Sequence, residues 1–220
     1  VIVMDINTGE LLALASTPSY DPNKYWDYSP SLFKEWSVQE LFEPGSTFKP
    51  INLALALEEG VISPNGEIND DGLVKVGGWP LSNWDHNPNG VLSFAEVLQV
   101  SSNVGMVKIM RKLNPTSYWQ RLKQLGIDKI PETDLPGAVA GQLKSKKIFT
   151  SQSIEPAVAS FGQGFSVTPL KLAQLHALIA NGGKLVTPHI TKGLKGDSQF
   201  FLNTPPESKQ VLSPEVTNIV

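Results

Sequence analysis

The sequence predicts an α+β fold in which a short β-hairpin precedes a mostly helical body. Two largely apolar runs, residues 1–4 and 10–15, flank a turn at residues 5–9 that is rich in Asp, Asn, Thr and Gly. This pattern is typical of a hairpin with a short loop. The later segments carry helix start and stop signals instead. Strands at one end of a chain and helices through the rest indicate the α+β class.

The most apolar helix is predicted over about residues 46–59, after a Pro-Gly break and before Gly60. Residues 53–57 are apolar almost all round, so we expect this helix to be buried on every side. Pro50 lacks a backbone N–H, which costs nothing only in the first turn of a helix. Its position therefore places the helix start close to Ser46.

Capping residues and glycines predict the remaining elements. The predicted elements are loops with short strands over residues 63–90, a helix opened by a capping box over residues 93–96, helices over 103–113 and 115–125, a loop over 128–156, and a helix over 170–180 that follows a Thr-Pro start.

Composition excludes several classes of function. The 220 residues carry a net charge of −3 with both signs interspersed, which gives no electrostatic footprint for nucleic acid. Cysteine is absent, so neither a disulfide framework nor a thiol nucleophile is available. The longest apolar stretch, residues 51–57, is far too short to span a bilayer. Hydrophobic residues make up 40% of the chain, enough to build a core.

Ser46 and Lys49 form the first candidate catalytic pair. Side chains three residues apart on a helix share a face, so the hydroxyl and the amine can meet. Serine becomes a strong nucleophile when a nearby base takes its proton, and a lysine serves as that base when burial lowers its pKa. The Ser-x-x-Lys pattern also arises by chance, as it does at Ser31 and Lys34. Only Ser46 opens a helix that is predicted to be buried.

Ser101 and Asn103 form a second candidate pair, on a turn between two predicted helices. The Ser101 hydroxyl can relay a proton, and the Asn103 amide can grip either a substrate amide or the lysine. The alternative is a plain helix cap, which on its own is the more common role for such residues. A chance copy of this pattern, at Ser63 and Asn65, lies in a predicted loop.

Other possible sites are weaker. The neighbouring Asp85 and His86 suggest a triad, but no Gly-x-Ser-x-Gly elbow completes it, so hydrogen bonding within a loop is favoured. The histidines lack metal-ligand spacing, and we expect neither a metal nor a cofactor. The Phe-Gly-Gln-Gly run at residues 161–164 lacks the context of a nucleotide loop and predicts a close backbone approach. The tryptophans are expected to anchor the core.

The segment at residues 42–50, Phe-Glu-Pro-Gly-Ser-Thr-Phe-Lys-Pro, resembles the nucleophile segment of class B penicillin-binding proteins. Residues 101–106, Ser-Ser-Asn-Val-Gly-Met, resemble their second motif, and residues 1–18 and 161–183 resemble the first hairpin and a long shared segment. The resemblance runs over the whole chain in motif order. Details around residues 41–44, Asp85-His86 and 104–106 lean toward the division (septal) type.

The resemblance implies one transpeptidase domain over residues 1–220, with the penicillin-binding or β-lactamase-like fold of an antiparallel sheet flanked by helices. It implies an acyl-serine D,D-transpeptidase that cross-links peptidoglycan stem peptides ending in D-Ala-D-Ala and is acylated by β-lactams. Ser46 would be the nucleophile, Lys49 the base, and Ser101 and Asn103 their partners. Cell-division and cell-wall synthesis proteins would be partners of a membrane-anchored parent protein whose catalytic domain is extracytoplasmic.

Two alternatives stay open: a non-catalytic penicillin-binding sensor or scaffold, and a hydrolase such as a D,D-carboxypeptidase. The third family motif, Lys-Thr/Ser-Gly, does not occur in the 220 residues. In the family it lies on a strand shortly beyond the position where this sequence stops. We therefore expect a partial domain whose C-terminal strands lie outside the sequence, and expect the fragment alone to be catalytically incomplete.

Overall fold

The first hairpin forms where the sequence predicts it. In the computed structural model, which describes residues 1–197 and 199–220, strands β1 (Ile2–Met4) and β2 (Leu11–Leu14) pair antiparallel. The Asp5 carboxylate closes the turn by accepting hydrogen bonds from the N–H groups of Asn7 and Thr8, at 2.9 and 2.8 Å.

The remaining strands also pair two by two, and every pair is antiparallel. The pairs are β3 (Glu67–Asp70) with β6 (Gly90–Ser93), β4 (Leu73–Val76) with β5 (Trp79–Ser82), β7 (Lys184–Leu185) with β10 (Lys209–Gln210), and β8 (Gly193–Lys195) with β9 (Phe200–Leu202).

Helices make up most of the body. They are α1 (Trp36–Gln39), α2 (Lys49–Glu58), α3 (Phe94–Gln99), α4 (Asn103–Met110), α5 (Pro115–Gln124), α6 (Lys146–Ser151), α7 (Ile154–Ala159), α8 (Pro169–Ala180) and α9 (Pro214–Thr217). The predicted capping box of α3 is present, and the Thr168 hydroxyl caps α8. Antiparallel strand pairs among these helices confirm the α+β prediction. No helix among the described residues has the length and apolar character needed to cross a membrane.

Helix α2 is the centre of the core, as predicted. Ile51, Ala54 and Leu55 have no exposed surface, and α2 packs against α3, α4, α8 and α9. The N-terminal end differs in detail from the prediction, because a 3₁₀ turn, Gly45–Phe48, precedes the α-helix. Pro50 is then the second residue of α2, where its missing N–H costs nothing.

A buried polar contact ties α2 to two other parts of the body. The Asn52 amide donates to the carbonyls of Ala159 and Ser160, both at 2.9 Å, and its oxygen accepts from the Tyr118 hydroxyl, also at 2.9 Å. Burial raises the pKa of Tyr118, so its hydroxyl stays a donor. The two amide contacts hold the end of α7 and the residue after it against α2, and the Tyr118 contact holds α5 against α2.

Two predictions about the fold are wrong. The loop predicted over residues 128–156 contains α6 and the start of α7, because the Ser145 hydroxyl caps α6 and Phe149 anchors it in the core. A six-residue helix is too short to show a periodic pattern. The tryptophans do not all anchor the core: Trp26 lies in a 3₁₀ helix without buried residues, and Trp79 and Trp84 are exposed on or beside a two-stranded ribbon.

Candidate active site

The ammonium group of Lys49 is buried and held by three acceptors. Lys49 is only 1% exposed. Its Nζ donates to the Ser101 carbonyl at 2.5 Å, to the Ser101 hydroxyl at 3.0 Å and to Asn103 Oδ1 at 2.8 Å. None of these acceptors carries a charge. Burial therefore lowers the pKa of Lys49 to about 8.

Ser46 is exposed and lies one turn before Lys49. The Lys49 N–H donates to the Ser46 carbonyl, which closes the 3₁₀ turn. Side chains three residues apart in a 3₁₀ turn eclipse each other, so this turn places the Ser46 and Lys49 side chains on one side of the segment. The structure therefore places an exposed serine one turn before a desolvated amine. Among the described residues, the hydrogen bonds of the Lys49 amine go to Ser101 and Asn103 and not to the Ser46 hydroxyl.

Gly162 sets the approach of a second segment to this turn. The Gly45 N–H donates to the Gly162 carbonyl at 2.8 Å. A Cβ atom at Gly162 would lie 2.1 Å from the Gly45 carbonyl oxygen, and the φ angle of Gly162 is +81°. Only glycine fits both requirements. The close backbone approach predicted for residues 161–164 is confirmed, and it occurs beside Ser46.

Ser101 takes an uncommon backbone conformation. Its φ angle is +55°, in the left-handed region that non-glycine residues rarely adopt. In this conformation its carbonyl and its hydroxyl both reach the Lys49 ammonium. Such strained residues concentrate at functional sites, where the surroundings hold them in place.

Asn103 turns its amide toward the lysine. Its Oδ1 accepts from Lys49, while its Nδ2 donates to the Ser82 carbonyl at 3.1 Å. Of the two roles left open for this amide, the structure therefore shows contact with the lysine. The cap of α4 is Ser102, whose Oγ accepts from the Gly105 N–H at 2.7 Å. Ser101 and Asn103 are thus free of the capping role.

The competing patterns do not form sites. Lys34, of the chance Ser-x-x-Lys copy, is exposed and pairs with Glu40 at 2.7 Å. His86 Nδ1 lies 2.9 Å from the Ser82 hydroxyl, whereas Asp85 accepts from Asn87, so no triad forms there. The loop role predicted for this pair is confirmed.

Known proteins with similar sequences contain the same type of domain. The family model described as the penicillin-binding protein transpeptidase domain matches residues 1–220. The chain belongs to this family. A peptidoglycan D,D-transpeptidase FtsI homolog of Mesostigma viride is 44% identical over 92% of the chain and 36% of the relative. The Escherichia coli peptidoglycan D,D-transpeptidase FtsI is 34% identical over 87% of the chain and 32% of that protein.

Solved penicillin-binding proteins share this fold. The transpeptidase domain of penicillin-binding protein 3 from Burkholderia pseudomallei superposes with a TM-score of 0.80 at 30% identity, covering 99% of the chain and 58% of that domain. Penicillin-binding protein 3 from Mycobacterium tuberculosis, solved with aztreonam, gives 0.90 at 27% identity, covering 99% and 49%. The chain spans about a third of the length of the two curated relatives named above.

Sequence reasoning missed three polar residues beneath this transpeptidase-family site. Asp70, Asn83 and Ser102 are fully or almost fully buried and bonded to one another. Asp70 and Asn83 fall in the Gly- and Asn-rich stretch for which the sequence predicts loops and short strands, where polar residues are expected in any case. Only the position of Ser102 directly before α4 offered a signal, as a helix cap.

Proposed function

We propose that this chain is the part of a peptidoglycan D,D-transpeptidase that carries the acylated serine, Ser46, and that β-lactams acylate the same hydroxyl. The observation that carries the proposal is the desolvated Lys49 amine, held between Ser101 and Asn103 one turn after the exposed Ser46. Family membership and the printed names of the relatives support the same activity.

In the proposed acylation, Ser46 Oγ attacks the carbonyl carbon between the two D-alanines of a stem peptide. The hydroxyl proton passes to neutral Lys49, directly or through the Ser101 hydroxyl, which lies 3.0 Å from the amine. The tetrahedral intermediate collapses, and its C–N bond breaks. D-Alanine leaves with the proton on its nitrogen, and an ester joins the peptide to Ser46.

In the proposed second half, an amine from a second stem peptide attacks that ester. The amine gives its proton to neutral Lys49 and forms the new amide bond. The ester C–O bond breaks, and Lys49 returns the proton to the Ser46 oxygen. The Ser46 N–H, at the start of the helical segment, is proposed to donate to the oxyanion in both halves. A second donor is proposed to come from a strand outside the 220 residues, where the family carries Lys-Thr/Ser-Gly.

The names of the relatives support a proposed substrate and cellular setting. The relatives include peptidoglycan transpeptidases and a stage V sporulation protein of Bacillus subtilis. We propose that the parent protein acts on D-Ala-D-Ala stem peptides at the extracytoplasmic face of a membrane, together with cell-division or cell-wall synthesis proteins. A structural neighbour was solved in complex with aztreonam, which supports the proposal that this chain binds β-lactams.

The test compares two serine variants of the intact protein. Ser46→Ala is expected to abolish covalent labelling by a fluorescent penicillin. Ser31→Ala, in the exposed chance copy of the motif, is the matched control and is expected to label like the wild type. Labelling that persists in Ser46→Ala would overturn the proposal.

A second assay separates the proposed function from its alternatives. The wild type is given a D-Ala-D-Ala thioester analogue with and without an acceptor amine. A transpeptidase forms the aminolysis product when the acceptor amine is present, and a D,D-carboxypeptidase forms only the hydrolysis product. A penicillin-binding sensor forms neither product. Either of the last two results in the intact protein would contradict cross-linking activity.

A further inference from the structure

Asp70 is a buried carboxylate without a cation. It has no exposed surface. In the part of the chain that the structure describes, Asp70 takes part in no ion pair, whereas its neighbour Asp71 pairs with Lys108. A buried charge without a counterion is costly unless dense hydrogen bonding offsets the loss of water.

Neutral donors supply that compensation. The Asn83 amide donates to both Asp70 oxygens at 3.0 and 2.8 Å, Asn89 donates at 2.7 Å, Ser102 Oγ at 2.7 Å and the Gly72 N–H at 2.8 Å. Burial raises the pKa of Asp70, but the hydrogen bonds outweigh it and hold the pKa below its usual value. Asp70 is therefore an ionised acceptor at neutral pH.

Two of these donors also hold the turn that carries Ser101 and Asn103. Asp70 accepts hydrogen bonds from Asn83 Nδ2, so the amide oxygen of Asn83 points away from Asp70. This Oδ1 accepts from the N–H groups of Asn103 and Val104, at 3.0 and 3.2 Å. The Ser102 hydroxyl donates its proton to Asp70, so the Ser102 oxygen is oriented to accept from the Gly105 N–H. Asp70 thus fixes the orientation of both groups.

The held turn contacts the Lys49 amine through two side chains. Ser101, with its left-handed backbone, directly precedes the held Ser102, and Asn103 directly follows Ser102. Both residues contact Lys49 Nζ. A strained turn keeps its shape only where the surroundings over-determine it, and here Asn83 and Ser102 supply that constraint.

We propose that Asp70 is a positioning residue of the acylation step, acting through Asn83 and Ser102 on the turn at residues 101–103 and through that turn on Lys49. The inference rests on the proposed function for its kinetic consequences, but not for its structural ones. Asp70 contacts neither Lys49 nor Ser46 within the described residues, so its effect on the reaction is indirect.

Asn89 supplies a matched control. It donates to Asp70, as Asn83 does, but its side chain makes no hydrogen bond with the turn at residues 101–104 in the described structure. Replacing either amide removes donors from Asp70. Only Asn83→Ala also removes the acceptor of the Asn103 and Val104 N–H groups.

The experiment measures acylation by a fluorescent penicillin across pH for Asp70→Asn, Asn83→Ala and Asn89→Ala in the intact protein. The first two variants are expected to lose tenfold or more in limiting acylation rate. They are also expected to move the midpoint of the pH–rate profile below that of the wild type, because the charged form of Lys49 loses a fixed acceptor in Asn103. Asn89→Ala is expected to keep the wild-type midpoint and to stay within threefold in rate.

Hydrogen exchange at residues 101–105 gives a readout that does not depend on activity. Asp70→Asn and Asn83→Ala are expected to speed exchange there, and Asn89→Ala is not. Equal effects of Asn83→Ala and Asn89→Ala, or folded Asp70→Asn with wild-type exchange and midpoint, would overturn the inference. A wild type that penicillin fails to acylate would refute the proposed function instead. If Asp70→Asn does not fold, the two asparagine variants still decide the question.

Discussion

The Lys49 amine and the Ser101 hydroxyl lie 3.0 Å apart although 52 residues separate them in the sequence. A proton can pass between groups at this distance without rearrangement of the backbone. The amine is a base only in its neutral form, so the reactivity proposed for Ser46 depends on the low pKa that burial gives to Lys49.

Replacing Lys49 by arginine is expected to remove the base while keeping a cation. Arginine stays protonated at all accessible pH values, and its planar group does not fit the three acceptors around Lys49 Nζ. General base catalysis contributes about 10²–10⁴-fold, so Lys49→Arg is expected to slow acylation by that factor. Stopped-flow fluorescence with a labelled penicillin measures the rate.

Lys34→Arg is the control for that substitution. Lys34 occupies the same place in the chance copy of the motif, but it is exposed and paired with Glu40. Its replacement is expected to leave the acylation rate unchanged. Acylation by Lys49→Arg at the wild-type rate would exclude Lys49 as the base.

Gly162→Ala is expected to disturb the turn that carries Ser46. The new methyl group would meet the Gly45 carbonyl oxygen at 2.1 Å, and the positive φ adds strain. The two effects together cost roughly 2–5 kcal/mol in the free energy of unfolding. Thermal unfolding measures the loss, and penicillin labelling of the folded fraction is expected to fall with it.

Gly182→Ala separates strain from the clash. Gly182 has a φ angle of +83°, close to that of Gly162, but the nearest atom to a Cβ there is 4.0 Å away. It is expected to cost about 1–2 kcal/mol, from backbone strain alone, and to leave the acylation rate of the folded protein unchanged. Equal losses of stability and labelling in both variants would show that the contact with Gly45 has no special role.

Tyr118→Phe is expected to weaken the core beneath the site. The substitution leaves the Asn52 Oδ1 buried without its donor at 2.9 Å, which costs about 1–3 kcal/mol in the free energy of unfolding. Urea denaturation measures the change. Tyr25→Phe, on an exposed ring, is the control and is expected to stay within about 0.5 kcal/mol of the wild type.

Local features of the fold could be predicted from the sequence because the responsible residues are neighbours in the chain. The turn at Asp5, the cap at Ser93 and the start of α8 at Thr168 all depend on contacts within a few residues. The burial of α2 follows from its composition alone. Helix α6 was missed because its single buried side chain, Phe149, gives no periodic signal.

The site could be predicted only in part. The placement of Ser46 one turn before Lys49 follows from their spacing, and the sequence indicates Ser101 and Asn103 as polar residues on a turn. Their meeting with Lys49 depends on how α2 packs against α4, which no local pattern contains. Asp70 supports this turn from a position 32 residues before Ser102 in the sequence. It lies in a polar stretch of the chain in which no residue stands out.

The pH dependence of acylation tests the central claim most directly. With the pKa of Lys49 near 8, about a tenth of the amine is neutral at pH 7. The rate constant for acylation of the wild type by a labelled penicillin is therefore expected to rise with pH and to level off above a midpoint near 8. A rate independent of pH between 6 and 9, or one still rising toward about 10.4 as for an exposed lysine, would contradict the role of Lys49 as the base.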